Sequence, residues 1–160
     1  DKTRPMGRNA SGVRGITLGG PNDEVIGMVA VSDSETEILV VSENGYGKRS
    51  SLEDYRTTNR GGKGVKTLSI TEKTGDLVSI KNVSDLDDLM IINKSGIAIR
   101  MDVADLRVMG RATQGVKLIN LKGSDTIAAV AKVMKDDEEI PEITEGKDLP
   151  TTEIEDTTKE

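Results

Sequence analysis

Three cationic positions return at a steady interval along this chain, and a set of that kind could grip a polyanion. Arg4, Arg56 and Arg107 hold the first position, Arg8, Arg60 and Arg111 the second, and Arg14, Lys66 and Lys117 the third. Each trio belongs to one recurring segment. The copies read Arg4-Pro5-Met6-Gly7-Arg8 through Gly12-Val13-Arg14, Arg56-Thr57-Thr58-Asn59-Arg60 through Gly64-Val65-Lys66, and Arg107-Val108-Met109-Gly110-Arg111 through Gly115-Val116-Lys117. Lys48, Arg49, Lys63 and Arg100 add further charge nearby. If equivalent residues sit at equivalent heights on successive units, these side chains make a curved basic track. Duplex DNA carries one negative charge per ~1.7 Å of axis, so the track suits its phosphates and the curvature suits bending. The glycines of Arg60-Gly61-Gly62-Lys63-Gly64 would let backbone N–H groups approach a phosphate closely. A structural reading competes with this one. Asp54 and Asp105 recur beside the arginines, and recurrent arginines in repeat proteins often tie carbonyls or pair with such carboxylates.

Other chemistries find little support. The chain has no histidine and no cysteine, which removes the usual general base at neutral pH, the commonest zinc ligands and any disulfide framework. Gly45-Tyr46-Gly47-Lys48-Arg49-Ser50 lacks the spacing of a phosphate loop and falls between two predicted strands rather than before a helix. Asp85, Asp87 and Asp88 lack the glycine and the final glutamate of a calcium loop. With only Tyr46 and Tyr55 as aromatics, stacking on unpaired bases is poorly served, so a duplex is favoured over a single strand.

The elements that must position the cations also repeat, at about fifty residues per copy. Behind each basic segment comes an alternating apolar stretch: Val13–Leu18 in the first copy, then Leu68 with Ile70, then Ile119 with Leu121. That period of two reads as a half-buried strand. A further strand is expected at Val25–Val31, Leu77–Val83 and Ile127–Val133. The next segment occurs twice, at Ile38–Arg49 and Leu89–Arg100, as strand, tight turn and strand. Asn44-Gly45 and Ser95-Gly96 supply the positive φ of the turns. Ser51–Arg56 and Asp102–Arg107 each suggest one short helical turn behind a Ser or Asp cap. The fold class is therefore all-β, with about four strands per blade of a propeller-like array, and two to three blades' worth of chain. With no Phe or Trp, the core must come from Ile, Val, Leu and Met.

Charge divides the chain. Overall it is −6, yet residues 135–160 hold three basic and eleven acidic side chains, a net of −8, which leaves +2 for residues 1–134. The body, 1–134, is read as the blades, and 135–160 as an acidic, disordered tail in which Asp136–Glu139 is a solvated charge run. The sequence opens on Asp1 rather than Met, which reads as a fragment or processed chain, and it shows no signal-like start and no membrane-spanning apolar run. A cytoplasmic location is the expectation.

Several of these motifs resemble the C-terminal domain of the bacterial DNA gyrase A subunit, within the type IIA topoisomerases. They are Met6-Gly7-Arg8-Asn9-Ala10-Ser11-Gly12-Val13-Arg14-Gly15-Ile16, Glu43-Asn44-Gly45-Tyr46-Gly47-Lys48-Arg49, Tyr55-Arg56 through Arg60-Gly61-Gly62-Lys63-Gly64-Val65, and Met109-Gly110-Arg111-Ala112-Thr113-Gln114-Gly115-Val116. The resemblance covers about residues 1–134. It implies a β-pinwheel, a disc whose blades exchange strands, with duplex DNA wrapped on its basic rim. The candidate DNA-binding residues on such a rim are Arg4, Arg8, Arg14, Lys48, Arg49, Arg56, Arg60, Gly61, Gly62, Lys63, Gly64, Lys66, Arg100, Arg107, Arg111 and Lys117. The resemblance further implies a non-catalytic part of an ATP-dependent type II topoisomerase. Its partners would be the rest of the gyrase A chain and the gyrase B chain, in an A2B2 holoenzyme that introduces negative supercoils. ATP and magnesium belong to the holoenzyme; no cofactor, catalytic residue or metal is expected in this stretch. Where the family's wrapping signature reads Gln-Arg-Arg-Gly-Gly-Lys-Gly, this chain has Thr58-Asn59-Arg60-Gly61-Gly62-Lys63-Gly64, which reads as a degenerate later copy of a box lying before Asp1. The alternatives are the corresponding domain of topoisomerase IV, which shares the pinwheel, and a propeller used as a protein-interaction scaffold.

Overall fold

A computed structural model describes residues 4–31 and 36–135, and the acidic stretch 136–160 expected to be a tail lies outside the described residues. Seven strands follow one another: β1 (Glu37–Ser42), β2 (Tyr46–Ser51), β3 (Leu77–Val83), β4 (Asp87–Asn93), β5 (Ala98–Asp102), β6 (Val116–Lys117) and β7 (Ile127–Met134). They form two antiparallel sheets, one ordered β3-β1-β2-β6 and the other β5-β4-β7.

Both predicted hairpins are present. β1 joins β2 through a turn in which Gly45 has φ 79°, and β4 joins β5 through a turn in which Gly96 has φ 87°. Side chains rarely tolerate that region, which accounts for glycine at both places. A short 3-10 turn, Leu52–Asp54, leaves β2, and the Ser51 hydroxyl caps it by accepting from the Glu53 amide at 3.3 Å. Its copy after β5 is held the same way, with Asp102 Oδ1 accepting from the Ala104 amide at 2.8 Å and the Leu106 amide donating to Val103 O at 2.9 Å.

The β1 strand explains how the sheets stack. Successive residues of a strand point to opposite faces, so Leu39 and Val41 enter one cluster while Ile38 and Val40 enter another. The first cluster fills the space between the sheets, with Val83 from β3, Leu89 and Ile91 from β4, Ile127 and Val130 from β7, and Leu118 and Ile119 behind β6. The second lies on the outer face of the four-stranded sheet, where Leu68, Val29, Tyr55, Leu77 and Ile80 cover it. With both faces covered, β1 is apolar without interruption from Ile38 to Val41.

Strand exchange between copies is visible in the four-stranded sheet. Its hairpin belongs to the first copy of the repeat, β3 to the second and β6 to the third. Val116 and Lys117 pair with Gly47 and Tyr46, and the Leu118 amide donates to Gly45 O at 2.8 Å.

Three expected strands are not formed, and the third copy of the alternating stretch is a strand only at Val116–Lys117. Val13–Leu18 and Val25–Val31 are irregular and largely exposed, as is the copy around Val65–Ile70 apart from buried Leu68. The expectation rested on alternation, but alternation fixes a face and not a partner. Among the described residues there are two hairpins. β3 and β6 occupy both edges of the first, and β7 lies on the β4 edge of the second. The first-copy segments join neither sheet, although the outer edge of β5 is unpaired among the described residues.

Candidate nucleic-acid interface

The basic segments are held in sequence, each on the copy before it. The Thr17 amide donates to Gly62 O at 2.9 Å, and one repeat later the Ser69 amide donates to Thr113 O at 3.1 Å. The glycine-rich turn is further secured by the Gly61 amide on Gly15 O at 2.7 Å and by the Thr17 hydroxyl on Gly61 O at 2.6 Å. The repeat therefore does more than place similar sequences at intervals. It bonds one basic turn to the next in a recurring register. Thr17, Ser69 and Thr113 carry no charge and gave no signal of this role in the sequence beyond their place in the repeat.

On this frame, Arg4, Arg8, Arg14, Arg56, Arg60, Lys63, Lys66, Arg107 and Lys117 are exposed, and none of them joins an ion pair among the described residues. Cations left without carboxylate partners keep their full charge for an external anion. Arg56, Arg60 and Lys63 surround an open depression of about 460 Å³ floored by Gly61, Gly62 and Gly64. Gly61 and Gly64 have φ of 76° and 77°, with only ordinary contacts beside them, so the backbone of the turn can be approached, although the Gly61 amide is itself engaged by Gly15 O. A second depression of about 410 Å³ is walled by Ile16, Leu18, Val25, Ile26, Leu77 and Ile80. Its apolar walls belong mainly to the unpaired first-copy segments and do not suit a phosphate.

Four of the expected contact residues behave otherwise. Lys48 is 1% exposed and donates to Gly110 O at 2.6 Å, to Arg111 O, and to Thr113 Oγ1 at 3.2 Å. Burial pulls its ammonium below the ordinary lysine value; the Asp54 charge works against that shift and Arg111 adds to it. Arg49 is buried as well, and it donates to Leu106 O and Asp85 Oδ1. Glu37 Oε2 lies 2.9 Å from Arg49 Nη1, close enough for charge attraction but outside hydrogen-bond geometry. Lys48 and Arg49 are therefore removed from the DNA-facing set: their donors are engaged by the chain itself, where buried charge requires partners. Arg111 spans two copies, donating to Asp54 O at 3.0 Å and Lys66 O at 2.8 Å. Arg100 is half-exposed and paired with Asp88 at 2.6 Å. For these four the structural reading of recurrent arginines is the better one, although the partners are more often carbonyls than the recurring Asp54 and Asp105.

Among the described residues no cluster of acidic side chains is arranged to hold a metal ion, and no helix is long and apolar enough to cross a membrane.

The profile of a family described as DNA gyrase C-terminal domain, beta-propeller, matches residues 4–32, 36–84 and 87–134. The chain is similar to the DNA gyrase A protein of Staphylococcus aureus strain MRSA252, at 50% identity over 158 residues, which is 98% of this chain and 17% of the relative. The same protein of strain NCTC 8325 gives the same identity, over 98% of this chain and 18% of its own length. The chain thus spans about a sixth of the length of these relatives. Among solved structures, the DNA gyrase A C-terminal domain superposes with a TM-score of 0.73 at 27% identity, covering 83% of this chain and 45% of that one. The C-terminal domain of DNA topoisomerase IV, at 19% identity and a TM-score of 0.70 over 76% of this chain and 38% of that one, shares the fold. On a profile matched along most of its length and an architecture of strand-exchanging blades, the chain belongs to the DNA gyrase C-terminal domain family of β-propellers.

Proposed function

We propose that this chain binds duplex DNA along its exposed basic turns and contributes to DNA wrapping as part of the C-terminal region of a gyrase A protein. The observation that carries this reading is the set of nine exposed cations without ion-pair partners among the described residues, spaced by the recurring Thr17–Gly62 and Ser69–Thr113 bonds. Arg60 and Lys63 flank the open glycine turn, and Lys66, Arg107 and Lys117 extend the charge toward the third copy. Contacts of this kind go to phosphates, so binding is nearly blind to sequence and steeply dependent on salt. The domain is non-catalytic in this proposal. Bending DNA on its surface, it presents a crossed segment to the cleavage and ATPase parts of an A2B2 holoenzyme, which uses ATP and magnesium to introduce negative supercoils. The 50% identity to gyrase A proteins and the retained Arg60-Gly61-Gly62-Lys63-Gly64 favour gyrase over topoisomerase IV.

The test is a binding isotherm on a duplex of about thirty base pairs across a salt series, for the chain and for Arg60→Ala/Lys63→Ala. The double variant is expected to weaken all duplexes alike and to lower the slope of log K against log salt by roughly one per lost contact. No measurable affinity of the parent chain for DNA at low salt would return the domain to the scaffold reading.

A further inference from the structure

The largest fully buried side chain among the described residues is a lysine. Lys48 lies at the centre of β2, has no carboxylate within ion-pair distance among the described residues, and gives its ammonium donors to three oxygens of one turn: Gly110 O, Arg111 O and Thr113 Oγ1. That turn lies between Arg107 and Lys117, the outward cations of the third copy. β2 also grips both flanks of the segment. The Met109 amide donates to Arg49 O at 2.8 Å, Val108 bridges Arg49, and Val116 and Lys117 pair with Gly47 and Tyr46. From this seat the Arg111 guanidinium reaches across to the carbonyl of Lys66, whose own side chain is exposed in the second copy.

The hairpin strand by itself does not require an ammonium here. In the second hairpin the equivalent place, on β5, is Ile99, so an apolar side chain fits the strand. An apolar side chain at position 48 would leave the Gly110 and Arg111 carbonyls short of a donor, so what the ammonium adds to the strand is its hold on that turn.

Resting on the proposed binding of DNA, we infer that Lys48 is a positioning residue for the DNA interface: without touching DNA, its ammonium fixes the Gly110–Thr113 turn and so sets the spacing of Arg107 and Lys117 from Lys66, Lys63 and Arg60. Phosphates on a duplex are regularly spaced, and a site works only if its groups are held within about 0.5 Å of the required geometry. A loosened turn drops the third-copy contacts while leaving those of the second copy.

The experiment measures duplex affinity across a salt series for the full 160-residue chain and for Lys48→Met and Thr113→Val, each checked for β-type circular dichroism and its melting temperature. Lys48→Met is expected to lower the salt slope by about two and to weaken binding about tenfold near 100 mM salt, although the residue it replaces faces no solvent. Thr113→Val, which takes away one acceptor together with that hydroxyl's own bond to Gly110 O at 3.0 Å and spares the lysine, should shift the slope the same way by less. A folded Lys48→Met chain with the parental slope overturns the inference, since a purely structural lysine would change the melting temperature alone. Should Lys48→Met fail to fold, Thr113→Val decides: a parental slope overturns the inference and a reduced one supports it. A parent chain that does not bind DNA refutes the proposed function instead, a result distinct from either.

Discussion

The backbone amide of Ser69 donates to the carbonyl of Thr113 at 3.1 Å. One repeat earlier Thr17 and Gly62 are bonded identically at 2.9 Å, and there the threonine hydroxyl adds a second bond, to Gly61 O at 2.6 Å. Ser69 has no such second bond among the described residues. The hydroxyl should therefore be what steadies the glycine-rich turn. Thr17→Val keeps the shape and removes that donor, leaving Gly61 O short of a partner, at a cost of about 1 kcal/mol. Native-state hydrogen exchange is the measurement: the Gly61 amide, bonded to Gly15 O, should exchange faster in the variant while amides of β4 are unchanged.

The two hairpin turns separate backbone strain from crowding. Gly45 and Gly96 both have positive φ, but an added Cβ at Gly45 would come within 2.9 Å of the Ile119 carbonyl and side chain, whereas at Gly96 it would meet nothing within 4 Å. Gly96→Ala should cost about 1 kcal/mol, from the left-handed backbone alone. Gly45→Ala should cost more, by about 1–2 kcal/mol, because Ile119 belongs to the packed core and must move. Urea denaturation of both variants checks the ordering, and equal costs would contradict it.

A surface ion pair fixes the end of β7 against the turn after β5. Asp102 Oδ2 accepts from Lys135 Nζ at 2.5 Å, with Asp88 Oδ1 3.9 Å from the same ammonium. The bond to Lys135, helped by the Ala104 amide, holds the Asp102 carboxyl below its usual 3.8, and the bond to Asp102 raises Lys135 above its usual 10.5. A depressed carboxylate contributes stability above its unfolded value and loses it as pH falls through the folded one. A raised lysine contributes below its unfolded value and loses it as pH rises through the folded one. Asp102→Asn, which keeps the Oδ1 acceptor for Ala104, should thus lower the melting temperature slightly near neutral pH, and the difference should fade as pH falls below the usual 3.8 and through the lowered folded value. High salt should shrink it at pH 7, because both groups are exposed. A difference independent of pH would assign the effect to packing.

Much of the fold was legible in the sequence. The strands β1 to β5 and β7 follow from alternation and from the Asn44-Gly45 and Ser95-Gly96 turns, which are local signals. What was not legible depends on partners far along the chain. Val13–Leu18 has the same alternation as the segment containing β6, yet only the latter pairs with a hairpin edge, that of β2. The charges were harder still. Lys48 and Arg49 look like rim residues because Arg, Lys and Gly surround them, yet β2 is covered on both faces and turns them inward. One clue existed: the partners of Lys48 and Arg49 in the second hairpin are Ile99 and Arg100, so the lysine does not repeat and need not belong to a repeated rim.

The central claim is that DNA follows particular cations and not the overall charge of the domain, and a charge-matched comparison tests it most directly. Arg60, Lys63 and Lys66 lie on the proposed track, while Lys73, Lys94 and Lys122 are also exposed but sit at the hairpin turns and their neighbours. Changing either trio to alanine removes three positive charges. Affinity for one duplex is then measured for the parent and both variants from about 25 to 200 mM salt. The account predicts a slope lower by about two to three for Arg60→Ala/Lys63→Ala/Lys66→Ala and a near-parental slope for Lys73→Ala/Lys94→Ala/Lys122→Ala. Equal losses in the two variants would contradict it, because binding would then report net charge alone.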